Sequence, residues 1–455
     1  MNLADLPTEL LELTGHHLIH HRGFKYVSDM LAFRLVCRAI TSKTHETFAR
    51  AAFQSLIVEL SSPSLNRLKS IAEHPAFGVK VEQLKFYDED SGYSPPGYLE
   101  FLVKARSGDL DVEEQARVEE FLNFAGAEQE DKAFLQRTAS DGIMLLVCFQ
   151  RMRSLRKIDI PAIWRSGRPQ GSVRRHLTGN GESTTRTYST IVSCLAYAQQ
   201  RPKELLTDWD GCTTCSEGVA VQALYMTPEI KLCIAGLQRL ELLLDMSDEH
   251  FKNQTLWHSY LAALLCATPE LRKLKLGFCR DWEDIAHVFA PVANTIHLPQ
   301  LQDLDLQHIR CDGAALYSFL LRHRGITRLS LTTLQVTGST SFAQILGALG
   351  DGFEQLTFFE CSQIAQNDFR LEFETLGLVT WNDVWAPRTD PRADKDFLNS
   401  FVSVRKPDRY TVRVEQWEGV QSRIKSFRED LRLSSKPCEP DIPPGSFQGD
   451  YVWLP

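Results

Sequence analysis

A run of histidines near the amino terminus, HHLIHH, is the first group of residues that could do chemistry. His16 and His20 are four residues apart, as are His17 and His21, so each pair would share one face of a helix and offer two imidazoles to a metal ion. A structural zinc site needs about four ligands, and the sequence places neither a cysteine nor a second such group close by. We therefore interpret the run as a polar helix end or loop and predict no metal site here.

A second candidate is the cysteine pair in Cys212-Thr-Thr-Cys215. A zinc ribbon needs a second CxxC at a suitable distance, whereas the next cysteine is the single Cys233. A redox-active pair needs a strand-to-helix setting, which the surrounding residues do not indicate. We expect neither metal binding nor redox chemistry from this pair.

The sequence lacks the common catalytic motifs. It contains no Gly-Lys dipeptide, and hence no phosphate-binding loop with an adjacent lysine, and it contains neither GxSxG nor HExxH. Gly179-Asn-Gly181 lacks the third glycine of a dinucleotide-binding loop. These absences predict a protein that is not an enzyme and that holds no cofactor.

Composition and charge exclude further classes of protein. The 455 residues include 50 Lys+Arg and 58 Asp+Glu, and a net charge of −8 provides no general attraction for nucleic acid or anionic lipid. The longest apolar stretches, Ile143–Phe149 and Leu261–Ala267, have seven residues each, whereas a membrane helix needs about twenty. The amino terminus lacks a basic segment followed by an apolar one, so we expect a cytoplasmic or nuclear protein with reduced cysteines.

Residues 1–53 are predicted to form a small helical domain. Asp5 is a suitable N-cap for the first helix, and Pro7 fits its first turn. The apolar stripe of this helix consists of Leu6, Leu10, Leu11 and Leu13. A second helical stretch over 29–53 is apolar around more than half of its circumference. About 50 residues cannot bury so much apolar surface alone, so we expect it to bind a partner or to pack on the rest of the chain.

After this domain the chain repeats a six-residue template, apolar-x-x-apolar-x-apolar, in copies whose two middle x positions are polar. Seven such copies begin at Val81, Leu155, Leu237, Leu271, Leu301, Ile326 and Phe353. The fourth positions of the last five copies are separated by 34, 30, 25 and 27 residues, close to the period of about 20–29 in leucine-rich repeats. Cys279 and Cys361 occupy the ninth position, where such repeats commonly have Asn or Cys. Helix-like stretches between the copies predict parallel strands covered by helices.

The predicted fold class is α+β or an α/β repeat, in which a small helical domain precedes an irregular leucine-rich-repeat-like solenoid with parallel strands. The predicted parts are the helical domain at 1–53, first strands with helical insertions at 54–236, a repeat array at 237–365, and a cap with a Pro-rich tail at 366–455. The first strand is predicted at 56–60, a polar loop at 165–190 and a capping helix at 415–433.

The first fifty residues resemble an F-box, in the form found in filamentous fungi. The residues that carry the resemblance are Leu6-Pro7, Glu9-Leu10-Leu11 and the block Leu31-Ala-Phe-Arg-Leu-Val-Cys-Arg38. The segment between Pro7 and Val36 is longer than is usual in the family, and HHRGFKYVS is the expected insertion.

This resemblance implies a substrate receptor of an SCF-type cullin–RING ubiquitin ligase. The F-box would bind the adaptor subunit and, through it, the cullin scaffold, while the repeats would bind a protein target. The adaptor-binding residues that the resemblance implies are Leu6, Pro7, Leu10, Leu11, Leu35, Val36 and Cys37. A receptor of this kind performs no bond chemistry, because it acts by raising the local concentration of its target.

The polar x positions of the repeats are the predicted target-binding surface. The third positions include Arg239, Lys273, Asp303 and Arg328, and the fifth positions include Glu241, Lys275 and Asp305. Charges of both signs suit a polar protein partner, although the same residues are also typical of ordinary solvated strands.

Two other functions fit the sequence. One is an interaction scaffold that acts outside any ligase, and the other is a hydrolase or transferase within the insertions at 88–236. Recovery of a cullin with the chain would separate the ligase receptor from the scaffold.

Overall fold

The structure is a computed structural model. It describes residues 6–19, 27–86, 130–131, 133–161, 163–164, 184–208, 216–245, 257–279, 289–367, 369–373, 411–415, 424 and 431–437. These residues divide into two compact units. The first unit contains the described residues up to 210 and those of 226–239, and the second contains those of 216–225 and those from 240 onward.

The amino-terminal helices belong to the first unit. They are α1 (Thr8–Ile19), α2 (Val27–Arg34), α3 (Arg38–Lys43) and α4 (His45–Phe53). The single helix predicted over 29–53 is divided into three, α2, α3 and α4. The first division arises because the chain turns at Leu35 and Val36 and is extended at Cys37. The hydroxyl of Thr41 donates to the carbonyl of Arg34 at 2.5 Å and holds this turn.

The core of these helices is formed by side chains from all four of them. Its fully buried apolar residues include Leu11, Met30, Ile40 and Ala49. Gly15 allows close packing, since a Cβ there would lie 2.8 Å from the terminal methyl of Met30.

The rest of the first unit alternates strands with helices. Its strands are β1 (Ser55–Val58), β2 (Gln83–Phe86), β3 (Lys157–Pro161), β4 (Ile163–Trp164) and β5 (Glu204–Asp208). Its helices are α5 (Ser62–Glu73), α6 (Ser140–Arg151), α7 (Thr184–Tyr197) and α8 (Pro228–Ile234), with a 3₁₀ turn at Gly78–Lys80. Strands β1, β2, β3 and β5 pair in this order and are all parallel. Each helix from α5 to α8 packs against the next one.

The second unit continues the alternation from β8 (Arg239–Asp245), whose first residue belongs to the first unit. Its other strands are β6 (Ser216–Glu217), β7 (Val219–Ala220), β9 (Lys273–Cys279), β10 (Asp303–Asp312), β11 (Arg328–Thr337), β12 (Phe358–Ser362), β13 (Ala365–Gln366), β14 (Phe369–Phe373), β15 (Thr411–Glu415) and β16 (Leu431–Pro437). Its helices are α9 (Trp257–Cys266), α10 (Phe289–Thr295), α11 (Gly313–Arg322) and α12 (Phe342–Gly352), with a 3₁₀ turn at Val221–Leu224. Strands β9, β10, β11 and β12 are parallel neighbours, which confirms the predicted mixed α/β class with parallel strands.

The same hydrogen-bond arrangement recurs at the start of most strands. One carbonyl oxygen, from the second template position, accepts two backbone N–H groups from the second and third positions of the next copy. The oxygens that do so are those of Gln54, Glu82, Arg156, Lys203, Arg272, Gln302 and Thr327. Two of them reveal copies beyond the predicted seven, which begin at Phe53 and Pro202.

The last predicted copy has the wrong register. Arg328 pairs with Phe358, and the backbone N–H of Leu356 donates to the carbonyl of Phe353, so this copy begins at Leu356 and not at Phe353. Cys361 therefore aligns with Leu331 at the sixth position and is a buried core residue, which corrects its predicted place at the ninth.

With this register, three copies share a left-handed residue at the eighth position. His308, Thr333 and Gln363 have φ angles of 53°, 53° and 54°. None of them is glycine, so the strand bends at the same point in each copy without a glycine to mark it.

The two ends of the predicted capping helix at 415–433 are strand residues. Within 415–433, Glu415 ends strand β15, Leu431 begins strand β16 and Ile424 is helical, while the remainder lies outside the described residues. Strand β15 pairs antiparallel with β12, and β14 pairs antiparallel with β13 and β16. Antiparallel strands therefore follow the parallel succession at this end.

Other predicted features lie wholly or partly outside the described residues. In the predicted loop at 165–190, residues 184–190 belong to helix α7, and the others lie outside the described residues. Asp5, His20, His21 and the Cys212–Cys215 pair, like most of the Pro-rich tail, are also outside them. Among the described helices, none combines the length and the apolar character that crossing a membrane requires.

Candidate functional site

Five large apolar side chains are exposed on the amino-terminal helices and on the turn after α2, and we call this set the exposed apolar patch. They are Leu10, Leu13, Leu31, Leu35 and Val36. Leu35 is 84% exposed, Val36 is 64% exposed and Leu10 is 48% exposed. Helices α1 and α2, which carry Leu10 and Leu31, pack against each other. Several exposed leucines on two packed helices are typical of a protein-binding surface.

The predicted adaptor-binding residues occupy different environments. Pro7, Leu10, Leu35 and Val36 are exposed, whereas Leu6 and Cys37 are half-buried. Leu11 is fully buried in the helical core, where it contributes to packing of the four helices. Leu13 and Leu31 belong to the exposed apolar patch but were absent from the predicted set, although Leu13 lay on the same apolar stripe.

The turn that carries Leu35 and Val36 is held on both sides. The backbone N–H groups of these residues donate to the carbonyls of Leu31 and Phe33 at 3.1 and 3.3 Å. The guanidinium of Arg34 lies 4.0 Å from the centre of the Phe48 ring, which fixes the end of α2 against α4. Leu35 and Val36 therefore project from a supported turn.

The helices are joined to the first strands through aromatic contacts within the first unit. The Phe77 ring stacks on those of His74 and Phe53, with centroid distances of 3.8 and 4.2 Å. The ammonium of Lys80 lies 2.5 Å from the carboxylate of Glu46 on α4. These contacts tie α4 to the 3₁₀ turn that precedes β2.

In the second unit, charged residues of neighbouring strands form what we call the charged strip. Its members are Glu241, Lys273, Lys275, Asp303, Asp305 and Arg328. The Asp303 carboxylate lies 3.4 Å from the Lys273 ammonium and 3.8 Å from the Arg328 Nε. Lys273 also lies 3.9 Å from Glu241. These charges therefore neutralise one another across the sheet before any partner binds.

The fifth positions of the strip are more enclosed than the third positions. Glu241 is buried, and Asp305 pairs in register with Lys275. Burial raises the pKa of Asp305, although the Lys275 charge and hydrogen bonds from the Gln307 amide oppose that rise. The amide nitrogen of Gln307 lies 3.0 and 3.2 Å from the two oxygens of Asp305.

Arg239, the seventh predicted target-binding residue, belongs to the first unit. Its guanidinium lies 3.6 Å from the carboxylate of Glu204 on β5. Phe358 occupies the third position of the next copy, beside Arg328. The Arg328 guanidinium lies 4.1 Å from the centre of the Phe358 ring.

Among the residues that the structure describes, no group of three His, Cys, Asp or Glu side chains is arranged to hold a metal ion. His16 and His17 are exposed on α1. Comparison of the chain with protein-family models and with curated proteins finds no match. Motifs and geometry are therefore the basis for assigning its function.

Proposed function

We propose that this protein is the substrate-recognition subunit of an SCF-type cullin–RING ubiquitin ligase, acting in the cytoplasm or nucleus. In this proposal the amino-terminal helices are an F-box that binds the adaptor subunit. The strand–helix repeats form a leucine-rich-repeat-like surface that binds a protein target.

The observation that carries the proposal is the exposure of motif residues. Leu35 and Val36 belong to the F-box-like block, and both project into solvent from a supported turn. Exposing two large apolar side chains costs free energy that burial against a partner would recover, at about 25 cal/mol per Å² of apolar surface. Pro7 and Leu10, from the other part of the motif, are exposed as well. A surface of this chemistry suits the apolar face of an adaptor.

The mechanism of such a receptor is proximity. The aromatic and ionic contacts of Phe77 and Lys80 tie the adaptor-binding helices to the first strands of the same unit. A target held on the receptor would share an assembly with the ubiquitin-carrying enzyme, so its effective concentration near that enzyme would rise. The receptor itself needs no nucleophile and no general base for this role.

Co-expression with the adaptor subunit tests the docking step. We expect wild type to retain the adaptor and the Leu35→Ala/Val36→Ala variant to bind at least about tenfold more weakly, because exposed anchor residues dominate such interfaces. The matched control is Ile57→Ala/Leu232→Ala, which removes two similarly exposed side chains elsewhere in the first unit. The proposal is contradicted if wild type fails to bind or if both variants bind equally well.

A further inference from the structure

Arg328 differs from the other cations of the charged strip in how it is held. Its guanidinium lies over the Phe358 ring at 4.1 Å, and its Nε lies 3.8 Å from the Asp303 carboxylate. Stacking on an aromatic face fixes the plane of a guanidinium at low entropic cost. The Arg328 side chain is nevertheless 52% exposed, so the guanidinium is held by the Phe358 ring on one face and remains accessible to solvent.

The two terminal nitrogens of Arg328 are available to a partner. Within the part of the chain that the structure describes, they make no hydrogen bond, and the ion pair with the Asp303 carboxylate is at Nε, 3.8 Å away. A planar guanidinium with two free terminal nitrogens is suited to two parallel hydrogen bonds with an oxyanion.

The acidic residues nearby do not occupy this position. Asp303 is shared with Lys273, whose ammonium lies closer to it at 3.4 Å. Asp305 accepts hydrogen bonds from Gln307. It is in register with Ser330, two residues further along the strand than Arg328. Ser330, the fifth-position residue on the same strand as Arg328, is small and uncharged. Glu360, in register with Ser330, is a further acidic residue two positions beyond Phe358 on β12. The terminal nitrogens of the guanidinium, and not the net charge of the strip, therefore mark Arg328 as a binding group.

We propose that Arg328 is the anchor for a carboxylate side chain in an acidic segment of the protein target. This inference rests on the proposed function, because it assigns a chemistry to the target that the repeats would bind. Lys273, two strands away on the same row, provides a second cation for a further acidic residue of that segment. Charge complementarity therefore favours a target segment that carries acidic residues over a neutral or basic one.

Selection from a random dodecapeptide library displayed on phage tests the proposal, with the full chain co-purified with its adaptor as bait. We expect enrichment of Asp and Glu on wild type, and a synthetic peptide of the enriched sequence to bind Arg328→Gln about tenfold to a hundredfold more weakly. Arg324→Gln is the matched control, since Arg324 is exposed and lies outside the strip. Arg328→Lys should give an intermediate affinity, because it keeps the charge but loses the paired hydrogen bonds.

Absence of acidic enrichment on wild type overturns the proposal, as does equal binding of the enriched peptide to wild type and Arg328→Gln. A peptide with phosphoserine in place of its acidic residue separates the two oxyanions. Binding only by the phosphopeptide would replace the carboxylate with phosphate and also overturn the proposal. Adaptor retention is measured in the same samples, so absence of acidic enrichment on wild type that retains the adaptor refutes this inference while leaving adaptor docking intact.

Discussion

His323 connects two neighbouring copies of the repeat through one buried ring. Its Nε2 accepts a hydrogen bond from the backbone N–H of Leu298 at 2.9 Å, and its Nδ1 lies 2.7 Å from the carbonyl of Phe319. A ring that accepts at one nitrogen and donates at the other is neutral. Burial lowers the pKa of His323, the Phe319 carbonyl opposes this effect, and the nearby charges of His297 and Arg322 add to it.

This neutral ring makes stability depend on pH. Since the folded-state pKa lies below the unfolded value of about 6.5, the stabilisation is complete above that pH and is lost as the pH falls through it. We expect the free energy of unfolding in urea to decrease between pH 7.5 and 5.5, and His323→Gln to decrease less over the same range. His17→Gln, at an exposed position on α1, should keep the wild-type slope. Identical slopes for wild type and His323→Gln would refute this role. His308, whose pKa burial lowers to about 4, is present in both proteins and so cannot account for a difference between their slopes.

At the scale of single residues, the sequence predicts whether a side chain is apolar or charged, but it does not predict whether that side chain is exposed. Leu10 and Leu11 belong to one apolar stripe, yet Leu10 is exposed and Leu11 is fully buried. Their difference depends on the direction from which α2, α3 and α4 approach α1, and no local pattern contains that information. The network that joins Lys273, Asp303 and Arg328 depends on strand register in the same way.

At the scale of elements, the template predicts strands correctly wherever its polar positions are truly polar. The predicted register of the last copy is wrong because Phe358, at the third position, is apolar, whereas the frame that begins at Phe353 has polar residues at both middle positions. The template does not match the copy at Pro202, because it requires an apolar residue at the sixth position and this copy has Thr207 there. Thr207 is fully buried all the same. The copy at Phe53 does carry the signal, since its first, fourth and sixth residues are Phe53, Leu56 and Val58.

Gly313 provides a test of how closely the elements pack. A Cβ at this first residue of α11 would lie 2.2 Å from the backbone carbonyl oxygen of Thr340, which cannot move independently of the chain. We expect Gly313→Ala to reduce the free energy of unfolding by about 1–3 kcal/mol, as overpacking generally does. Gly325→Ala is the control, because its nearest neighbour would be 3.8 Å away. Equal urea midpoints for the two variants would show that the chain accommodates the extra methyl group.

At the scale of the whole molecule, the mixed α/β class followed from the regular alternation of strand and helix patterns. The antiparallel carboxy-terminal strands did not, since the helix-like spacing over 415–433 favoured a helix. Strand partners there are distant in sequence, as with Phe358 and Glu415, so local periodicity cannot indicate them. Helices α1–α4 belong to the same compact unit as the first strands.

The whole chain provides the test that separates a ligase receptor from a scaffold. In the proposed assembly the cullin contacts the adaptor, so its recovery with the chain should depend on the exposed apolar patch. We expect tagged wild type to co-purify both adaptor and cullin, and Leu35→Ala/Val36→Ala to lose both together. Retention of the adaptor with no cullin at all would favour the scaffold function.

The shared carbonyl oxygen at the start of most strands makes a single copy of the repeat a unit that can be duplicated. A segment such as 302–326 contains both the acceptor for the copy that follows it and the donors for the copy before it. A tandem duplication of that segment would therefore find compatible neighbours on both sides. After β11 this is no longer so, because β12 and β13 both pair with β11 and then meet antiparallel strands. Gains and losses of whole copies among related genes are thus expected before β11 and not beyond it.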